Sequence, residues 1–146
     1  MSSQRWKEDL IQLGEMGRRT PVRIESYDQL DLEKGLHRLE GTQEIKKSKE
    51  YVMARMKEAG LKVRIDKIGN IFARKEGTKT NTGAVMSGSN LDSVLNVGMF
   101  DGPLGDFSAL EAVRIMNDEG FENERPIEIV AFMGEEGSAF KKVLLG

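Results

Sequence analysis

The sequence predicts an α/β protein in which helices flank a mixed β-sheet. Two segments with helical spacing of apolar residues come first, at 3–17 and 43–59, and two alternating segments around a glycine turn follow them. An apolar strand, a helix and a second apolar strand then occupy 83–133. A hairpin followed by a β–α–β unit predicts antiparallel pairing in one part of the sheet and a right-handed crossover between its last two strands.

The first helix is predicted from its apolar spacing. Ser3 can cap a helix that ends near Gly17. Four apolar residues share one face of this helix: Trp6, Leu10, Leu13 and Met16. The stretch 20–41 has a weak pattern and predicts a surface connection with one short helical turn near 30–36.

A second helix and a hairpin follow. Thr42 is the expected N-cap of a helix over 43–59, which a glycine ends. Its inward-facing residues are Ile45, Val52, Met56 and Ala59. Segment 61–66 alternates with period two, as a half-exposed strand does, and 70–75 returns as its partner after a turn that contains glycine and asparagine.

The last three elements form the β–α–β unit. The apolar run into 84–88 predicts a buried strand, and Pro103 suits the first turn of a helix that ends near Glu119. Gly105 and Ser108 keep the start of this helix narrow, which allows close approach to the sheet. Segment 127–133 predicts the final strand.

Composition limits the classes of function. The chain has 146 residues, 32% charged and 38% hydrophobic, which indicates one globular domain. The net charge of −2 comes from scattered residues of both signs, and no apolar run approaches a membrane span. We therefore expect neither a nucleic-acid partner nor a membrane partner. The absence of cysteine and of an apolar signal sequence predicts a cytoplasmic protein without disulfides or thiolate metal sites.

Four acidic residues follow the two apolar strands, and we refer to them as the acidic cluster: Asp92, Asp101, Glu135 and Glu136. Loops at the carboxyl ends of neighbouring strands meet at one edge of a sheet, so these side chains are expected to lie together. Carboxylates are ligands for divalent ions, and a carboxylate outside the ligand set can take a proton from water. Each residue alone also fits a turn or a helix cap.

The motifs around the acidic cluster resemble the hydantoinase/carbamoylase family, within the aminoacylase- and carboxypeptidase-like zinc peptidase superfamily. The first three are Gly-Ser-Asn-Leu-Asp-Ser-Val at 88–94, Phe-Asp-Gly-Pro-Leu-Gly at 100–105 and Val-Ala-Phe-Met-Gly-Glu-Glu-Gly-Ser at 130–138. Glu-Ala-Gly-Leu at 58–61 and Asp-Lys-Ile-Gly-Asn-Ile-Phe at 66–72 match as well. The resemblance runs from about residue 41 to the end, and it implies the N-terminal portion of a zinc-peptidase-like catalytic domain.

The resemblance also implies a reaction and roles for residues. The family hydrolyses carbamoyl or ureido C–N bonds, in substrates such as N-carbamoyl amino acids, ureidopropionate or allantoate, with two divalent metal ions (zinc, manganese, cobalt or nickel). By this carry-over, Asp101 bridges the two ions, Glu136 binds one of them and Glu135 is the general base. Asp92 orients the ligand at position 90 from behind it.

The chain departs from the family pattern in two respects. Asn90 stands where the family has a metal-binding histidine, and an amide oxygen is a weaker ligand than imidazole. The single histidine, His37, lies outside the motifs and is expected at the surface or at a helix end. The family also continues well beyond the length of this chain, so residues 1–146 are expected to form a partial catalytic domain.

Two further readings remain open beside a metal amidohydrolase. If the chain is a partial domain, we expect little catalytic turnover. We also expect the chain to associate with a second copy of itself or with a missing C-terminal half. The chain is then either part of an amidohydrolase or a non-catalytic remnant that works as a binding or self-associating module. An aminoacylase or dipeptidase of the same superfamily differs from the first reading only in its substrate.

Overall fold

The computed structural model of the protein describes residues 3–18, 35–79 and 81–137. Within these ranges the chain forms α1 (Ser3–Glu15), α2 (Gln43–Glu58), β1 (Lys62–Ile65), β2 (Ile71–Lys75), β3 (Val85–Asn90), α3 (Pro103–Asp118) and β4 (Ile127–Phe132). The predicted α/β class and each of these seven predicted elements are confirmed. The helical turn predicted near 30–36 falls almost entirely outside the described residues.

The four strands form one mixed sheet in the order β1-β2-β4-β3. β1 pairs antiparallel with β2, and β2 pairs antiparallel with β4. β3 and β4 are parallel neighbours, with α3 between them in the chain. The hairpin and the β–α–β unit predicted from the sequence are therefore both present, and β4 joins them.

Local hydrogen bonds explain why the second helix and the hairpin begin where they do. The Thr42 hydroxyl accepts the N–H of Ile45 at 3.4 Å, so it caps α2 as expected. In the hairpin turn, one carboxylate oxygen of Asp66 accepts the N–H groups of Ile68, Gly69 and Asn70 at 3.0, 2.8 and 2.9 Å. This turn fixes the direction in which β2 returns along β1.

The core lies between the sheet and the three helices, and an ionic contact adds to their apolar packing. Asp9 of α1 is buried and accepts the hydroxyl of Tyr51 and the Nε of Arg55, both from α2 and both at 2.8 Å. Its other oxygen accepts Nη1 of Arg114 from α3 at 2.5 Å. The Asp9 carboxylate therefore connects α1 to both α2 and α3, and this group of helices packs against one face of the sheet.

β3 is an exposed edge strand, so the prediction of a buried strand is wrong. Val85 is 50% exposed and Met86 is 51% exposed. β3 has β4 on one side and no strand on the other within the described residues. A short apolar run indicates a strand, but it does not indicate whether that strand has one or two neighbouring strands in the sheet. Leu104, in the first turn of α3, is likewise 42% exposed.

The start of α3 lies very close to β3, as the small residues in its first turns predict. A Cβ atom added to Gly105 would lie 2.8 Å from the Cβ of Ser89, which is closer than two carbon atoms approach. The glycine therefore lets α3 pack directly on the end of β3. No helix in the described part of the chain has the length and apolarity needed to cross a bilayer.

Candidate active site

The carboxyl ends of β3 and β4 lie side by side and place two loops at one edge of the sheet. Asn90, the last residue of β3, is the register partner of Phe132, the last residue of β4. The loop after β3 begins with Leu91 and Asp92, and the loop after β4 carries Glu135 and Glu136. This arrangement at one edge of the sheet is the one expected from the sequence.

Asp92 connects these two loops directly. Its side chain is buried, with no exposed surface. Oδ1 accepts the N–H of Glu135 at 3.3 Å, and Oδ2 accepts the N–H of Glu136 at 3.2 Å. Because each carboxylate oxygen takes one backbone amide, Asp92 fixes the loop that carries both glutamates relative to the end of β3.

Asn90 is buried behind Asp92 and is hydrogen-bonded to it. The Asn90 Nδ2 donates to the backbone oxygen of Asp92 at 3.2 Å and to its Oδ1 at 3.4 Å. The Asn90 Oδ1 accepts the Ser89 hydroxyl at 3.2 Å. Gly102, with φ of 82°, lies against the same residue, since a Cβ there would be 2.4 Å from the Asn90 carbonyl oxygen. This contact holds the turn that carries Asp101 beside the end of β3.

Negative charge accumulates around Glu136. Burial raises the pKa of Glu136, and the charges of Asp101, Glu135 and Asp92 raise it further, in that order. Asp101 itself is exposed. The structure therefore brings Asp92, Glu135 and Glu136 together through backbone contacts, and Asp101 acts on Glu136 through its charge, without a direct contact between the two side chains among those described.

Asn70 is a positioning residue that sequence reasoning missed. It is buried in the hairpin turn, where its Nδ2 donates to Asp66 Oδ2 at 2.8 Å. Its Oδ1 accepts the N–H of Met133 at 2.8 Å, just before the loop that carries the two glutamates. A Gly-Asn pair between two strands indicates a turn, and nothing in its sequence indicates this second contact.

Arg38 is the second residue that sequence reasoning missed. The segment around it pairs with the loop after β3: Leu36 and Val97 exchange backbone hydrogen bonds of 3.0 and 3.3 Å. The Arg38 backbone N–H donates to Ser93 Oγ at 2.7 Å, and its Nε donates to the carbonyl of Leu91 at 2.9 Å. Sequence reasoning did not find Arg38 because it lies in the stretch 20–41, whose pattern of apolar and polar residues is weak.

The single histidine lies in the same segment as Arg38. His37 is half-buried, and its Nδ1 accepts the N–H of Asn96 at 3.0 Å. Of the two positions expected for His37, the surface and a helix end, the structure shows a partly exposed position outside the described helices, beside the loop after β3. The histidine serves that loop as a hydrogen-bond acceptor.

The donors at this edge can be compared with the needs of a divalent ion. Asp101 and Glu136 offer carboxylate oxygens and Asn90 offers an amide oxygen, a set that suits a hard cation. Burial and then the repulsion of nearby carboxylates raise the pKa of Glu136, and a bound cation would relieve that repulsion. Among the described residues, no three histidine, aspartate or glutamate side chains are grouped to hold a metal by themselves. The donor chemistry thus fits a divalent ion, with further ligands required.

Comparison with known proteins identifies the family. The model of peptidase family M28 matches residues 70–146, which include both loops of the site. The chain belongs to peptidase family M28. The hydantoinase/carbamoylase resemblance is also confirmed, because this M28 chain is similar over its whole length to proteins of that group.

Three relatives illustrate the similarity of this M28 chain. N-carbamoyl-L-amino acid amidohydrolase of Geobacillus stearothermophilus is 40% identical over all of this chain and 33% of its own length. Allantoate deiminase 1 of Glycine max is 42% identical over 62% of this chain and 19% of its own length. A hydantoinase/carbamoylase family amidase from Burkholderia ambifaria superposes with a TM-score of 0.85 at 31% identity, over 98% of this chain and 32% of the other. The chain spans about a third of the length of the first and third of these relatives and about a fifth of the second.

Proposed function

We propose that this chain supplies the carboxylate side of a metal-dependent amidohydrolase site for small carbamoyl or ureido compounds. The observation that carries the proposal is the contact of Asp92 with the backbone amides of Glu135 and Glu136, which joins the two loops of the acidic cluster. The substrate class comes from relatives described as amidohydrolases of N-carbamoyl-L-amino acids and as allantoate deiminases.

Each residue of the site has a distinct task in this proposal. Asp101 and Glu136 would hold the divalent ions through their carboxylate oxygens, and Asn90 would offer a weak amide ligand. When bound, such ions lower the pKa of water and polarise the substrate carbonyl. Glu135 would take the proton from the attacking water and pass it to the leaving nitrogen as the C–N bond breaks. Asp92 keeps Asn90 and both glutamates in place.

Metal binding is the first test of the proposal. We expect the purified chain to bind Mn²⁺ in isothermal titration calorimetry and Asp101→Ala to abolish that binding, because the variant lacks one of the two proposed carboxylate ligands. Asp118→Ala removes an exposed carboxylate of α3 and is the matched control. Failure of the wild-type chain to bind Mn²⁺ or Zn²⁺ would remove the support for a metal site in this chain.

Asn90→His is the second test, because imidazole is a stronger ligand than an amide oxygen. We expect the variant to bind Mn²⁺ or Zn²⁺ about tenfold more tightly, the size of effect of one improved contact near a metal. Asn81→His adds the same imidazole to the loop before β3, at the opposite end of that strand, and should leave the affinity unchanged. Equal affinity of Asn90→His and wild type would exclude position 90 from the ligand set.

Activity is tested by ammonia release from N-carbamoyl amino acids in the presence of Mn²⁺. We expect the 146-residue chain to release little ammonia, because the described residues offer fewer ligands than a hydrolytic metal site uses. Robust release that Glu135→Gln abolishes would show that the chain is active by itself, and it would contradict the expectation of a partial site.

A non-catalytic binding module is the second candidate function. The observation that favours it is Asn90, whose amide nitrogen is engaged by Asp92 and whose oxygen accepts the Ser89 hydroxyl. The amidohydrolase and the binding module predict different results in the calorimetric titrations with Mn²⁺ and Zn²⁺. A chain with no affinity for Mn²⁺ or Zn²⁺ in which Asn90→His creates none supports the module.

A further inference from the structure

Arg38 is a buried cation beside the acidic cluster, and most of its hydrogen-bonding capacity is unused. The residue has no exposed surface. Its Nε donates to Leu91, but Nη1 and Nη2 are buried and have no hydrogen-bond partner among the described residues. An unpaired buried charge is costly, and a guanidinium in the interior normally has a carboxylate on its fork. The position of Arg38 therefore requires an explanation other than a direct ion pair.

Three carboxylates act on this guanidinium through space. Burial lowers the pKa of Arg38 to about 10, and the charges of Asp92, Asp101 and Asp106 oppose that shift, in that order. The side chain is thus still charged at neutral pH. Burial also raises the pKa of Asp106 well above its ordinary value, so this carboxyl is a weaker counter-charge than an ordinary aspartate. Asp92 and Asp101 are consequently the main partners of the positive charge.

We propose that Arg38 is the fixed counter-charge of Asp92 and Asp101, and that it sets an upper limit on how tightly the site holds a divalent ion. The guanidinium is fixed to the loop after β3 by its Nε bond, and the backbone of Arg38 donates to Ser93 Oγ and accepts the Ser93 N–H. It therefore keeps a positive charge beside the two carboxylates whether or not another cation is bound. The second part of the proposal rests on the metal site proposed above.

A purely mechanical role for Arg38 makes the opposite prediction for metal affinity. If the side chain only anchors Leu91, its loss loosens the loop that carries Asp92, and a divalent ion binds more weakly. If it is a counter-charge, its loss removes the repulsion between a guanidinium and the incoming ion, and the ion binds more tightly. The sign of the change thus separates the two roles.

The first experiment measures Mn²⁺ affinity by calorimetry for Arg38→Met, Arg38→Gln and Arg38→Lys. We expect the two neutral variants to bind about tenfold more tightly than wild type, because one buried positive charge no longer opposes a divalent one. Arg38→Lys keeps the charge and should bind like wild type. Arg64→Met removes an exposed arginine of β1, at the other edge of the sheet, and is the matched control. Unchanged or weaker binding by both neutral variants overturns the proposal.

The second experiment needs no metal and therefore decides the counter-charge role even if the proposed metal site is wrong. Melting temperatures are measured in EDTA for wild type, Arg38→Met, Asp101→Asn and the double variant. Without Arg38, the repulsion between Asp101 and Glu136 is no longer offset by that positive charge, so Asp101→Asn should raise the melting temperature more in the Arg38→Met background than in wild type. An equal effect in both backgrounds excludes Arg38 as the counter-charge. Arg38→Gln replaces Arg38→Met in the cycle if the latter does not fold.

Discussion

Asn70 shows how a single side chain can tie a hairpin turn to a candidate site. It donates to Asp66 within the turn and accepts the N–H of Met133, one residue before the loop that begins at Gly134. Both bonds are 2.8 Å long and the side chain is buried. The position of the two glutamates therefore depends on a residue from the far side of β4.

We expect Asn70→Ala to lower the free energy of unfolding by about 2 kcal/mol, because it removes the acceptor of the Met133 N–H and the donor to Asp66 Oδ2. Urea denaturation measures this change. Lys67→Ala removes an exposed side chain from the same turn and should alter the free energy of unfolding very little. An equally small effect of both substitutions would show that the contact with Met133 does not stabilise the loop.

Residues of the site differ in how far sequence reasoning could reach them. Asp92, Glu135 and Glu136 stand directly after apolar strands, so local order along the chain was enough to place them together. Arg38 and Asn70 take their roles from contacts with residues more than 50 positions away. Such contacts form only when distant parts of the chain come together in the folded protein, so no local sequence pattern predicts them.

At the scale of elements, the packing of α3 on β3 positions the turn that carries Asp101. We expect Gly105→Ala to lower the free energy of unfolding by about 1–2 kcal/mol, because the new methyl group would overlap the Cβ of Ser89. This sign is the reverse of the usual gain from alanine in a helix interior. Chemical denaturation of the variant beside Gly98→Ala, where a Cβ meets nothing within 4 Å, provides the measurement and its control.

Element types followed from the sequence, whereas the exposure of the elements did not. Helical spacing and period-two alternation depend only on residues close together in the sequence. The three helices and the hairpin could therefore be predicted. The exposure of β3 depends on the order of strands in the sheet, β1-β2-β4-β3, and this order is a long-range property. An apolar run such as Ala84-Val85-Met86 therefore fits an edge strand as well as a central one.

At the scale of the whole molecule, Asp106 makes folding stability depend on pH. Burial raises its pKa well above the ordinary 3.8, so the folded state binds this proton more tightly than the unfolded state. The resulting stability is present at acidic pH and is lost as the pH rises through the raised pKa. Asp106→Asn keeps an oxygen for the Ser89 N–H, which Asp106 accepts at 2.7 Å, and has no proton to lose.

We therefore expect the free energy of unfolding of Asp106→Asn, relative to wild type, to increase as the pH is raised from about 4 to about 8. Urea titrations at several pH values give this difference. Glu122→Gln, which removes an exposed carboxylate, should keep a constant difference from wild type over the same range. A constant difference for Asp106→Asn as well would mean that this carboxyl titrates alike in the folded and unfolded states.

The two edges of the sheet predict how the chain associates. The edge strand β1 carries Lys62 and Arg64, charges that discourage strand pairing, whereas β3 has no charged residue and exposes Val85 and Met86. We expect light scattering to detect concentration-dependent self-association that Met86→Lys reduces. Ile65→Lys places the same charge on β1 and should have little effect. Association that is insensitive to Met86→Lys would exclude β3 as the contact.

The two hydrogen bonds that Asp92 accepts from backbone amides also determine how this end of the molecule opens. Both bonds join β3 to β4 beyond their last paired residues, so sliding one strand along the other would break them in the same event. The amide protons of Glu135 and Glu136 should accordingly show the same protection against exchange with deuterium, set by that motion. Loss of the Asp92 carboxylate would release both protons together, and the two loops would then fluctuate independently.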